Sequence, residues 1–129
     1  VLVESEPAGS WCVTHAKQLA DQLARTIVLS RDEWSCRRCG SQEVVQWAHL
    51  LTRASLCLRH DPDNSLALCR ACHFHFTKNP AAFERWISKE MPGRWQELHT
   101  RRDAAIASGE TIDYAELIAR LRSGLVDPR

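Results

Sequence analysis

The sequence predicts an α+β fold in which two short strands and a helix gather around a four-cysteine centre, with longer helices on both flanks. Three observations carry that expectation. Four of the six cysteines fall into two C-x-x-C pairs, Cys36 with Cys39 and Cys69 with Cys72. Two short runs suited to strands, Val44 to His49 and Ser65 to Cys69, lie between the first pair and the second. Outside that stretch, apolar residues recur at helical spacing.

The flanks and connections are read in chain order. Leu19, Leu23 and Ile27, with Ala20 and Ala24 beside them, predict a helix from Ser10 to Leu29, with Ser10 able to cap it. After the second strand, Arg70 to about Lys78 reads as a short helix ended by Asn79-Pro80, and Pro80 is well suited to start the next. Phe83, Trp86 and Ile87 form that helix's apolar stripe. Met91-Pro92-Gly93 breaks it, and Trp95, Leu98 and Ala105 mark another helix that Ser108-Gly109 closes. Thr111 or Asp113 can cap a last helix carrying Leu117, Ile118 and Leu121, with Ser123-Gly124 to Arg129 expected as a frayed tail. The five tryptophans are expected to serve a core around the cysteine centre.

A chain of 129 residues has room for one ordinary domain and not for two. We therefore expect a single domain over 1–129, with its core at about 31–80, an N-terminal helix at about 10–30 and C-terminal helices at about 80–122. With 44% apolar and 26% charged residues, disorder is not the default. No apolar run approaches bilayer length, and Val1 to Pro7 lacks the basic segment of a secretory signal. The net charge of +1 gives no basic field. Arg31 to Lys78 holds seven basic against five acidic residues, so any nucleic-acid contact must come from local placement of arginines.

Six cysteines also fit a disulfide framework, but paired C-x-x-C spacing without a secretory signal points to metal. A two-residue gap aims both thiolates of a knuckle at one ion, and two knuckles complete the tetrahedral sulfur site that zinc favours. Gly40, directly after Cys39, supplies the permissive backbone such a turn needs. Four sulfurs leave no open position, so this zinc is expected to be structural, with Cys36, Cys39, Cys69 and Cys72 as its ligands. Cys12 and Cys57 read as small apolar fillers or free thiols.

With the zinc shell filled by sulfur, the nearby histidines are available for other work. His49 ends the first strand, Asn64 precedes the second, and His73 directly succeeds Cys72. Two strands and a helix clamped by one zinc are expected to bring these three side chains to one face.

Taken together, Arg31-Asp32-x-Trp34-x-Cys36-x-x-Cys39-Gly40, Ala48-His49, Asp63-Asn64 and Leu68-Cys69-x-x-Cys72-His73 resemble the HNH endonuclease family, of the two-knuckle kind common in phages and prophages. The likeness runs from about Arg31 to Pro80, and Phe74 to Phe83 also resembles the segment C-terminal to the motif in phage members. It implies a ββα-metal fold and metal-dependent hydrolysis of DNA. His49 is then the base that activates water. His73 is a ligand to a catalytic Mg²⁺, Mn²⁺ or Ni²⁺, and Asn64 fixes the orientation of His49 across the connecting loop. Arg53 is a candidate for gripping the scissile phosphate. Many members carry a metal ligand just before the base and another one helical turn after the first; here those positions are Ala48 and Thr77. Asp61 and Asp63 are the candidate replacements, His60 a lesser one, and His75, two residues from His73, should face elsewhere. The resemblance further implies a cytoplasmic protein of a phage-infected or prophage-bearing bacterial cell. DNA is its partner and phage terminase or another targeting protein a candidate one, in DNA processing or packaging. The alternative is a non-catalytic zinc-ribbon module that binds nucleic acid or protein.

Overall fold

The structure, a computed structural model, describes residues 8–52 and 56–126. It is α+β. Helix α1 (Ala8–Arg31) leads through the first knuckle to β1 (Val45–His49), and a connection with two 3-10 turns (Leu56–Leu58 and Pro62–Asn64) leads to β2 (Ser65–Cys69). Helices α2 (Arg70–Lys78), α3 (Pro80–Glu90), α4 (Arg94–Ser108) and α5 (Tyr114–Val126) complete the chain order. The two strands pair antiparallel, from Val45 opposite Cys69 to His49 opposite Ser65. Among the described residues, no helix is long and apolar enough to cross a membrane.

The hairpin is covered on both faces, which is why all five residues of β2 are buried rather than alternating. On one face Ala48, Leu66 and Leu68 pack with Phe76, Phe83, Ile87 and Leu98 from α2, α3 and α4. On the other, Trp47 packs with Ala20, Ala24 and Val28 of α1 and Leu121 of α5. Trp86 and Trp95 lean against the first core, whereas Trp34 is 46% exposed under Arg25, whose guanidinium carbon lies 5.8 Å from its ring centre. Trp11 falls among side chains outside the described ones. The tryptophans therefore divide between two cores and the surface.

Three boundaries differ from the sequence reading, each for a local reason. Helix α1 begins at Ala8, so Ser10 lies inside it; a cap is worth only about 1 kcal/mol, and alanine readily extends a helix. Strand β1 starts at Val45, because Val44 sits at φ 48°, in the left-handed region that no strand residue adopts. Helix α5 runs through Ser123 and Gly124 to Val126, where Leu121 packs it against Ala20, Ala24 and Val28 of α1; 127–129 of the expected tail lie outside the described residues. Asp113 caps that helix, its Oδ1 accepting the Glu116 amide at 3.1 Å.

Candidate metal centre and the histidines beside it

The two knuckles meet where the sequence expects. The sulfurs of Cys36, Cys39, Cys69 and Cys72 all lie within 4.8 Å of one another, the sole cluster of three or more His, Cys, Asp or Glu residues so placed among the described residues. Zinc–sulfur bonds of about 2.3 Å in a tetrahedron place sulfurs about 3.8 Å apart, and Cys39 Sγ stands 3.7 Å from Cys69 Sγ. Backbone amides aim at the sulfurs as well. Arg38 and Cys39 donate to Cys36 Sγ at 3.4 and 3.5 Å, and Cys72 donates to Cys69 Sγ at 3.4 Å. Gly40, at φ 81°, gives the first knuckle its left-handed turn.

Burial pushes Cys36 up, but backbone amides, with that of Cys69 foremost, outweigh it and bring the thiol down to about 7. Burial instead pushes Cys72 up to about 12, against the Arg38 guanidinium that donates to its sulfur at 3.6 Å. A divalent ion held by the four sulfurs would replace their protons and make four thiolates. The donor set suits zinc. Cys57 is a free, half-buried cysteine packed against the core, and the side chain of Cys12 lies outside the described ones.

Asp32 locks this frame to α1. Its carboxylate accepts Arg31 Nε at 2.9 Å, Arg37 Nη1 at 3.1 Å and the Ala67 amide at 2.9 Å. The Arg37 amide in turn donates to the Ala67 carbonyl at 2.9 Å, fixing the first knuckle to β2.

Asn64 is fully buried and spans the connection. Its Oδ1 accepts the Leu51 amide at 2.8 Å, while Nδ2 donates to the carbonyls of Leu51 and Leu58 at 3.2 and 3.1 Å. It thus holds the start and the middle of the loop together. His49 Nε2 lies 2.9 Å from the carbonyl of Arg59, the next residue after Leu58. A carbonyl only accepts, so Nε2 carries the hydrogen and the neutral ring's lone pair is on Nδ1. Asn64 does not touch the imidazole in these hydrogen bonds; it orders the loop that does.

His73 takes the opposite tautomer. With Gln46 Oε1 2.8 Å from its Nδ1, the hydrogen sits on Nδ1 and the lone pair on Nε2. Gln46 thereby sets the orientation of the His73 ring. Gln46, Val44, Arg70, Phe74 and Thr77 line an open groove of about 760 Å³ with His73. Side chains alternate along β1, so Gln46 shares the α2 side with Ala48. His49 lies on the α1 side with Trp47, ring centres 4.3 Å apart. His49 thus stands on the α1 side of β1, Gln46 with its α2 partner His73 on the other, and Asn64 in the connection.

The positions lacking a ligand stay without one. Ala48 is a buried core methyl, and Thr77 Oγ1 donates back to the His73 carbonyl at 2.8 Å. Asp61 and Asp63 both grip Arg101 of α4, at 2.7 and 2.9 Å. His60 is buried against Asp21 of α1 at 2.7 Å, and His75 is exposed beside Asn79. Arg53 lies outside the described residues.

Gln46 is legible in principle, since strand alternation places it on the helix-facing side. The Asp21 and Arg101 pairings carry no sequence signal, because their partners lie 38 to 40 residues away. Searches against protein-family models, curated proteins and solved structures find no significant match to the chain. The fold and the cluster define a small α+β domain organised by a four-cysteine site fit for zinc.

Proposed function

We propose that the chain is a metal-dependent endonuclease of the HNH kind that hydrolyses DNA phosphodiester bonds. The observation that carries the reading is the hydrogen bond from His49 Nε2 to the Arg59 carbonyl, in a loop tied down by Asn64. It puts a hydrogen on Nε2 and fixes the ring, and an imidazole so held is the kind of side chain that serves as general base toward water. The zinc cluster holds the hairpin and α2 in register and takes no part in the chemistry. His73, oriented by Gln46, would hold a Mg²⁺, Mn²⁺ or Ni²⁺ ion through Nε2, and that ion supplies charge stabilisation to the phosphate and the departing 3′ oxygen. Because β1 is an edge strand of a two-stranded sheet, a phosphodiester laid across that edge would meet residues from both of its sides. Arg70 in the groove and Arg53 on the loop are candidate phosphate contacts. A role in phage DNA processing or packaging, with terminase or another targeting protein as partner, belongs to the same proposal.

The second reading is a non-catalytic zinc module that binds nucleic acid or protein. It is favoured by the ligand count beside His73, where Ala48 and Thr77 supply nothing and Asp61 and Asp63 are committed to Arg101. Supercoiled plasmid separates the two. With Mg²⁺, Mn²⁺ or Ni²⁺ we expect nicking or linearisation that needs the ion and is lost in His49→Ala with zinc and fold intact. DNA binding without cleavage in either protein would give the module reading the field.

A further inference from the structure

Resting on the reading of His49 as the base, we propose that Asp21 of α1 is a positioning residue for it, acting through the Arg59–His60 peptide. The carbonyl that receives His49 Nε2 belongs to the bond joining Arg59 to His60. The side chains of both those residues end on the Asp21 carboxylate. Arg59 donates Nε to Oδ1 at 2.8 Å and Nη2 to Oδ2 at 2.7 Å, and His60 Nε2 donates to Oδ1 at 2.7 Å. One carboxylate therefore anchors the side chains on both sides of that peptide, which opposes turning its oxygen away from His49.

The clamp sits in a poorly hydrated place. The side chains of Asp21, Arg59 and His60 are 23%, 14% and 3% exposed, and Tyr114 of α5 meets His60 edge-on at 6.1 Å. Tying a loop to a helix does not demand such a group, since apolar packing does so without the cost of burying charge. What an ionic, bidentate tie adds is orientation. Here the oriented group is a backbone oxygen that sets which nitrogen of His49 bears the proton. The device comes from outside the zinc-framed core, so α1 contributes to the site as well as to stability.

The test uses the full, zinc-loaded chain with histidine labelled by nitrogen-15, and supercoiled plasmid with Mn²⁺ as substrate. Asp21→Asn removes one acceptor and the charge; Arg59→Lys keeps the charge and loses the fork. In the wild type, long-range proton–nitrogen spectra should show His49 as a single Nε2–H tautomer. In both variants we expect a tautomer mixture, kcat lower by about tenfold, which is part of what a general base supplies, and plasmid affinity within about twofold of wild type. A His49 tautomer unchanged in a folded variant overturns the proposal, whatever cleavage does. If Asp21→Asn loses zinc or its melting transition, Arg59→Lys decides. A wild type that cleaves nothing overturns the base reading, and with it any catalytic weight for Asp21. The spectra still distinguish that failure from a failure of the clamp.

Discussion

The carboxylate of Asp32, just past the end of α1, accepts the backbone amide of Ala67 in the middle of β2 at 2.9 Å. Arg31 and Arg37 complete its shell, so one buried side chain joins the first helix, the first knuckle and the second strand. Replacing it leaves an amide without its acceptor and two guanidinium groups without their counter-charge. We expect Asp32→Ala to cost about 3 kcal/mol in urea unfolding, the range for losing a buried charged partner, and to weaken zinc retention. A loss below about 1 kcal/mol would remove Asp32 from the frame, since that is what a surface ion pair is worth.

Acid should attack the same contacts. Burial pushes the Asp32 carboxyl up, but hydrogen bonds from Arg31 and the Ala67 amide, with the charges of Arg31 and Arg37, outweigh it and hold it below the usual range. Burial of Asp21 is likewise outweighed, by Arg59 and His60, and Arg101 lowers Asp63 directly. A carboxylate lowered in the folded state adds stability that is complete above its unfolded value near 3.9 and is lost as pH falls through the folded one. We expect these groups to contribute fully at pH 5 to 7 and the wild type to lose stability steeply below about pH 4. Asp32→Asn should show a shallower decline there in parallel urea titrations, because it lacks one of the groups being protonated.

Zinc removal tests the centre itself. The cluster joins the first knuckle to the start of α2, and three of its four cysteines are buried. The expected outcome is a single zinc ion per chain by elemental analysis and, on chelation, loss of the cooperative melting transition that zinc restores. Cys36→Ser should reproduce the effect of the chelator. A metal-free chain that melts as before would make the four thiols a packing feature only.

Strands, α2 and the metal cluster are legible in the sequence because local chemistry specifies them. C-x-x-C knuckles bracket the hairpin, and Asn79-Pro80 stops α2 at Lys78. Val44 departs from its strand propensity, sitting at φ 48° in the bend that leads into β1. The placing of Gln46 on the side opposite to Trp47 and His49 is implicit in the strand's two-residue period. The fate of Asp61 and Asp63 is not. An acidic loop reads as a cation site until the fold brings Arg101 to it from 40 residues away.

Asn64 tests the loop rather than the metal. Asn64→Asp keeps the size and the acceptor for Leu51 but turns the donor facing the Leu51 and Leu58 carbonyls into a third oxygen. We expect a loss of about 2 kcal/mol for the buried repulsion and unpaired groups. Plasmid cleavage should fall by more than the folded fraction accounts for, because the neighbouring Arg59 carbonyl no longer holds His49 in place. Cleavage that tracks the folded fraction alone would confine Asn64 to stability.

The Arg101 pairing makes a prediction that divides the two kinds of acidic residue. Asp61 and Asp63 face a guanidinium at 2.7 and 2.9 Å, and Glu97 shares it at 2.8 Å. With both carboxylates paired to Arg101, their removal should be felt in stability and not in metal demand. Asp61→Asn and Asp63→Asn should each cost about 1 kcal/mol or less, as partly exposed ion pairs do. The Mn²⁺ concentration that gives half-maximal plasmid cleavage should stay within about twofold of wild type. His73→Ala, by contrast, removes the nitrogen that Gln46 orients and should raise that concentration by about tenfold or more, the scale on which even supporting residues alter metal affinity. If either asparagine variant raises the metal requirement as His73→Ala does, the loop supplies a ligand and Arg101 must yield it when the ion binds.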